Sequence, residues 1–247
     1  MLKLFKNKSV FKLMETDSTN TYVSKLPIDT PEGSIAYTLN QTQGRGLSSN
    51  HWESEPNKNL TFSILLRPVF LKAYEQFYLL KAIAIAASDF VAMFTDKVSI
   101  KWPNDIYVSD KKIAGILIEN SIERDYLKQS IIGIGININQ EKFSDVIPNP
   151  VSLFQLTKKE YDIEKCLEMI SECIEKQYLL LKNRNFEDID RSYLSILYRF
   201  NQPSVFSADG TNFTGTIVAV EPAGELAIKA ASGEVRHFLF KEVEYIF

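Results

Sequence analysis

Lys112 and Gly115 stand three residues apart at the end of a run that reads Lys101-Trp102-Pro103-Asn104-Asp105-Ile106-Tyr107-Val108-Ser109-Asp110-Lys111-Lys112-Ile113-Ala114-Gly115-Ile116-Leu117-Ile118-Glu119. The pattern predicts a rigid turn, a short strand, a charged tight turn and a second, mostly apolar strand. Pro103 fixes the bend, and Asn104 and Asp105 offer an amide and a carboxylate from it. A lysine at the mouth of the second strand can hold its ammonium over whatever lies on the sheet. Gly115 then leaves backbone open to a flat ligand. A hairpin with solvent-facing charges would read the same way.

Three other segments carry candidate chemistry. Gln41-Thr42-Gln43-Gly44-Arg45-Gly46-Leu47 pairs a flexible backbone with one guanidinium fork suited to a carboxylate or phosphate, or else it is a mobile surface loop. Trp52, in a polar stretch, is a core anchor or a stacking surface. Ser18, Thr19 and Asn20 follow Glu15-Thr16-Asp17 and favour a helix cap, with Asp17 or Ser18 at the capping position. In Ile132-Gly133-Ile134-Gly135-Ile136-Asn137-Ile138-Asn139, two glycines interrupt an isoleucine-rich strand, where a bulge, close packing or a ligand would explain them. No third glycine opens a helix afterwards, so this is not a dinucleotide fingerprint.

Taken together and in this order, the four segments closely resemble the motifs of biotin protein ligases. The match spans residues 15–139 and extends to about 247 through a tail module. The resemblance implies an ATP-dependent ligase that activates biotin as biotinyl-5′-AMP and transfers it to a lysine of a biotin carboxyl carrier protein domain. By that resemblance Ser18, Thr19 and Asn20 contact the ureido end of biotin, and Gln41 is a further biotin-contacting residue. Gly44, Arg45, Gly46 and Leu47 form a loop closing over it, with Arg45 meeting the carboxylate and the phosphate. Gly115, Gly133 and Gly135 border the ligand, Trp52 stacks on adenine, and Asn104, Asp105 and Asn137 lie toward the nucleotide. Arg45 and Lys112 are the implied catalytic cations. Mg²⁺ is expected with the triphosphate, and Asp105 is an indirect helper in holding it. Where the family often continues Gly-Arg-Gly-Arg-Arg-Gly, this chain has Gly46-Leu47-Ser48-Ser49, which removes basic residues expected to help retain the adenylate. Some relatives carry an N-terminal DNA-binding domain, and a motif starting at Ser18 leaves no room for one. A lipoate ligase or transferase of related fold is disfavoured by the Lys-Trp-Pro-Asn-Asp block. A decayed, non-catalytic carrier-binding module is disfavoured by the intact Arg45 and Lys112.

The elements that must position these residues follow from periodicity. Strands are expected at 10–15, 34–39, 60–66, 98–101, 106–108, 112–119 and 129–138. Helices are expected from 17 or 18 toward Leu26, over 72–95 with a stripe of Phe77, Leu80, Ala84, Ala87 and Val91, from Asp162 to about Lys182, and over 187–197. After about Asn201, short alternating runs separated by turns predict a small antiparallel barrel, similar to the SH3-like module of biotin ligases. The expected class is therefore α+β: a mixed sheet with packed helices, of the class II synthetase-like kind by resemblance, over residues 1–200, and the barrel over 201–247.

Composition agrees. The 247 residues are 45% hydrophobic and 24% charged with net charge −3, enough to bury a substantial core. No dense basic run offers a nucleic-acid footprint, and no apolar run approaches the roughly 20 residues that span a bilayer. Cys166 and Cys173 lie about 10 Å apart along a helix, too far to bridge, and with two unrelated histidines no transition-metal spacing exists. The chain reads as a cytoplasmic protein without membrane or nucleic-acid partners, and nothing in it fixes an oligomeric state.

Overall fold

The computed structural model describes residues 4–5, 7–47, 50–145 and 147–246. A seven-stranded mixed sheet forms the first part of the fold. Its strands are β1 (Val10–Leu13), β2 (Ile35–Thr38), β3 (Leu60–Leu66), β4 (Val98–Lys101), β5 (Asp105–Val108), β6 (Lys111–Glu123) and β7 (Tyr126–Ile136), in the spatial order β1-β2-β3-β7-β6-β5-β4. Only β1 and β2 run parallel; every other neighbouring pair is antiparallel.

Side-chain alternation gives the central strands two different faces. On β3, Phe62, Ile64 and Leu66 point into the main core, and across on β7 their partners Ile134, Ile132 and Ser130 share that side. The opposite face carries Thr61 and Ser63 on β3, Gly133 and Gly135 on β7, and Gly115, Leu117 and Glu119 on β6. The near-continuous apolar reading of these strands therefore conceals a face kept small and polar. At one end of this face, α1 (Thr19–Ser24) packs Val23 onto Ala36, Leu65 and Ile131.

The core face is covered by α2 (Gln76–Ala92), with α4 (Ile163–Lys182) and α5 (Phe186–Ser195) behind it. The expected one-sided stripe on α2 is incorrect. Tyr78, Leu79, Lys81 to Ser88, Phe90 and Val91 are buried, while Phe77 and Leu80 are only partly so. Clamped between a sheet and two helices, α2 has almost no solvent face, which suits its run of small alanines. The helix also starts later than expected, after a 3₁₀ turn at Ala73–Glu75. Asp162 caps α4 by accepting from the Glu164 and Lys165 amides, and Cys166 and Cys173 are buried on it as free thiols, with pKa pushed up to about 11 by burial. Strand β7 begins earlier than its apolar run indicates, and a short helix, α3 (Leu153–Thr157), closed by a capping box from Ser152 and Gln155, was not foreseen.

A second, antiparallel sheet holds β8 (Pro203–Ala208), β9 (Thr211–Val220), β10 (Leu226–Ala230), β11 (Val235–Phe238) and β12 (Glu244–Tyr245), in the order β11-β10-β9-β8-β12. Two buried links fasten it to the first part. The Trp102 indole N–H donates to the Gly224 carbonyl at 2.9 Å. Lys81, 1% exposed, is paired with Asp190 at 2.6 Å, lies among the rings of Phe77, Tyr78 and Tyr193, and reaches the Val220 carbonyl at 3.4 Å.

Trp102→Phe keeps an aromatic ring but removes the donor together with part of the buried indole. Leaving the Gly224 carbonyl without its partner is expected to cost about 1–3 kcal/mol in urea unfolding. A loss within measurement error would show that this bond does not hold the two sheets together.

Candidate active site

The small, polar face of the central sheet forms the floor of a cavity of about 760 Å³. Gly115 and Gly135 sit directly opposite each other on β6 and β7, and Gly133 faces Leu117 one step along. A side chain at Gly135 would collide with the Trp52 indole, and one at Gly133 would collide with the Asn20 carboxamide. Only glycine lets these groups lie on bare backbone.

Lys112 reaches the same face through a local irregularity. The β5–β6 ladder pairs Asp105 with Gly115 and Ile106 with Ala114, then shifts so that Tyr107 pairs with Lys112. Without this bulge, alternation would place Lys112 on the face opposite Gly115. With it, the ammonium meets Asp105 at 2.6 Å and stands 5.8 Å from the centre of the Trp52 ring. Lys111 pairs with Val108 and stays exposed. A second cation, Lys101, lines the cavity over the rings of Tyr107 and Tyr245, and burial lowers its pKa.

The loop after β2 folds over this floor. Trp52 donates its amide to the Gly44 carbonyl and Gly46 donates to the Asn50 carbonyl, so residues 44–46 and 50–52 are drawn together as a narrow strap. Gly44 belongs to the strap rather than the cavity wall; a side chain there would strike the Trp52 carbonyl. Arg45 lines the cavity but is already engaged, making a two-pronged contact with Glu119 at 3.0 and 2.8 Å. Gly46 and Leu47 line the wall; Ser48 and Ser49 lie outside the described residues.

At the other end stand Ser18, Thr19 and Asn20. Neither Ser18 nor Asp17 caps α1 through its side chain as expected. The Gln41 carboxamide oxygen takes that role, accepting from the Thr19 amide at 2.9 Å, while Asp17 accepts from the Ser18 amide. The helix start is thus fastened to the loop that carries Arg45. Ser63, which local sequence did not single out, lies 2.7 Å from the Thr19 hydroxyl and 2.5 Å from Asn20 Oδ1. Thr61, two residues earlier on β3, lines the cavity with a buried hydroxyl that has no hydrogen-bond partner. Their signal was the alternation of hydroxyls with Phe62 and Ile64, masked by the strand's overall apolarity.

Two expected residues have other work. Asn104 is at the wall, but its side chain donates to the Ile116 carbonyl at 2.6 Å and its carbonyl accepts from the Ile116 amide, which locks the turn onto β6. Asn137 does not line the cavity; it is buried with its amide on the Val151 carbonyl at 3.0 Å. Phe240, Lys241 and Val243 from the turn between β11 and β12, with Tyr245 of β12, complete the wall. Among the described residues no group of three or more His, Cys, Asp or Glu could hold a metal ion.

The family model for the biotin/lipoate A/B protein ligase family matches residues 13–137, and the chain belongs to that family. The bifunctional ligase/repressor BirA of Bacillus spizizenii is 32% identical over 209 residues, 82% of this chain and 63% of that protein. The chain therefore spans just under two thirds of that relative's length. The biotin–[acetyl-CoA-carboxylase] ligase of Paracoccus denitrificans is 25% identical over 90% of this chain and 94% of its own. The biotin protein ligase of Aquifex aeolicus, solved with biotin and ATP, superposes with a TM-score of 0.81 at 25% identity, covering 97% of this chain and 100% of that one.

Gly135→Ala tests the floor directly. The added methyl must expel the Trp52 indole, so fluorescence emission should shift to the red while Trp102, the only other tryptophan, stays buried. Overpacking of this kind costs about 1–3 kcal/mol, so the fold should survive. Unchanged emission would refute the seating of Trp52 on this glycine.

Proposed function

We propose that this chain activates biotin with ATP and transfers it to a lysine of a carboxylase carrier domain. The observation that carries the reading is the bulge that turns Lys112 onto the same face as Gly115 and Gly135, beneath a strap that carries Arg45. The relatives' names, which specify biotin, ATP and acetyl-CoA carboxylase, supply the substrates.

The cavity suits the chemistry in order. Thr19, Asn20 and Gln41 gather hydroxyl and amide groups at one end, where a cyclic urea finds both donors and acceptors. The unpartnered Thr61 hydroxyl faces the same space. The Trp52 indole lies on the Gly115–Gly135 floor, so the flat body of the ligand takes that surface only when the indole moves off it. Lys112 and Arg45 then flank the point where the carboxylate oxygen attacks the α-phosphorus, the mixed anhydride forms and pyrophosphate leaves. In the second step the carrier lysine, as free amine, attacks the activated carbonyl, and AMP departs with the bonding electron pair. Both steps concentrate negative charge on oxygen, which fixed cations stabilise. Asp105 keeps Lys112 in place, and the Lys101 ammonium adds positive potential to the same wall. Mg²⁺, if bound, would offset triphosphate charge, and Asp105, already paired with Lys112, would help to hold it only indirectly. No helix among the described residues is long and apolar enough to cross a membrane, and we read the site as acting in the cytoplasm.

Biotin-dependent exchange of pyrophosphate into ATP is the decisive measurement, followed by transfer of labelled biotin to a carrier domain. Exchange driven by lipoate and not by biotin would favour the other branch of the family.

Arg45→Ala should slow biotin-dependent exchange by about 2–4 kcal/mol of transition-state stabilisation. A rate equal to wild type would remove Arg45 from the reaction.

For Lys112→Ala a similar loss is expected in adenylate formation without loss of folding, whereas Lys111→Ala should be nearly silent. The opposite ranking would place the bulge one residue away from its position here.

A further inference from the structure

Glu119 is a charged side chain on the site face of β6 that the reaction scheme does not use. Alternation places it two steps beyond Gly115, on the same side as Leu117. Its carboxylate accepts from both terminal nitrogens of Arg45, and one of the same oxygens accepts from Asn20 Nδ2 at 2.7 Å. Asn20, 2% exposed, is held in turn by Ser63, which is fully buried. A chain of polar contacts therefore runs from the interior of the sheet through Ser63, Asn20 and Glu119 to the guanidinium.

The ion pair also lies at a boundary. Arg45 lines the main cavity and a shallower hollow of about 310 Å³, which is walled by α1 and the β6–β7 hairpin and includes Glu119. Glu119 lines only this hollow, whereas Arg45 lines both spaces. An arginine has five N–H donors in a rigid plane, and an end-on carboxylate takes one from each terminal nitrogen. The remaining donors are left for a ligand on the cavity side. An arginine on a strap of glycines has many rotamers; one anchored to a carboxylate that is itself anchored has few.

We propose that Glu119 is a positioning residue for Arg45: it fixes the plane of the guanidinium and so the donor edge offered to the carboxylate and phosphate of the substrate. The assignment rests on the biotin-activating reading above. It makes Glu119 act through Arg45 and not through Asn20 or the strand.

A double-mutant cycle read by calorimetric titration with biotin tests it, using wild type, Glu119→Gln, Arg45→Ala and the double variant. The carboxamide introduced by Glu119→Gln keeps an oxygen for Asn20 and loses the charge that holds Arg45. Coupled contacts of this kind correspond to roughly a fivefold to thirtyfold effect, so Glu119→Gln should weaken biotin binding by about that factor when Arg45 is present. In the Arg45→Ala background the same change should not weaken binding. Equal weakening in both backgrounds would overturn the assignment, because Glu119 would then act through Asn20 or the strand. Tighter binding in the single variant would also overturn it, since Glu119 would then be a competitor for the fork. Thermal melts of all four proteins separate unfolding from these outcomes. A wild-type protein that takes up no biotin would overturn the biotin reading and this assignment together, whereas binding with equal costs overturns the assignment alone.

Discussion

Gly115 and Gly135 meet across two antiparallel strands and leave an area of sheet that carries no side chain of its own. Everything else at the site is arranged around that bare backbone. Trp52 can lie there only because no methyl group intervenes, and the strap from Gly44 to Trp52 closes because the indole has somewhere flat to rest. The strap in turn sets the height of Arg45 above the sheet. Thr61 and Ser63 owe their orientation to the same alternation, being the β3 partners of Gly135 and Gly133. A larger residue at either glycine would alter several contacts together, since they share one surface.

Charge is distributed on that surface with its counter-ions built in. Lys112 has Asp105, Arg45 has Glu119, and both pairs are partly open to water. Pairs of this kind add little to stability. Their effect is geometric: each carboxylate restricts a flexible cationic side chain to fewer rotamers. Lys81 and Asp190 form a different kind of pair, buried among aromatic rings and remote from the cavity, and they join helices to the second sheet.

Much of this was legible in the residues. The Lys-Trp-Pro-Asn-Asp turn, the two glycines among isoleucines and the strap arginine were visible because each breaks a local pattern: a proline before a strand, glycines in an apolar run, one cation in a neutral loop. The change to short alternating runs after Asn201 marked the second sheet for the same reason. Less legible were features that depend on pairing. Lys112 owes its direction to a register shift, which no single strand encodes. Gln41 caps a helix 22 residues away in sequence, and Glu119 finds Arg45 across 74. Asn137 turns its amide to the Val151 carbonyl just after the strand ends at Ile136, a direction that a motif position does not reveal. The stripe on α2 failed since a helix covered on several sides needs no polar face.

The wall contributed by Phe240, Lys241, Val243 and Tyr245 has a consequence for how the site comes into being. These residues lie far along the chain from Ser18 and Lys112, and during synthesis they emerge from the ribosome after every other part of the cavity. A nascent chain that has reached residue 230 already contains the whole seven-stranded sheet, the strap and both cations, yet its cavity lacks one side. The cavity therefore gains its last wall only once the segment after Phe238 has been made, and shorter translation products should remain open to proteolysis on that side.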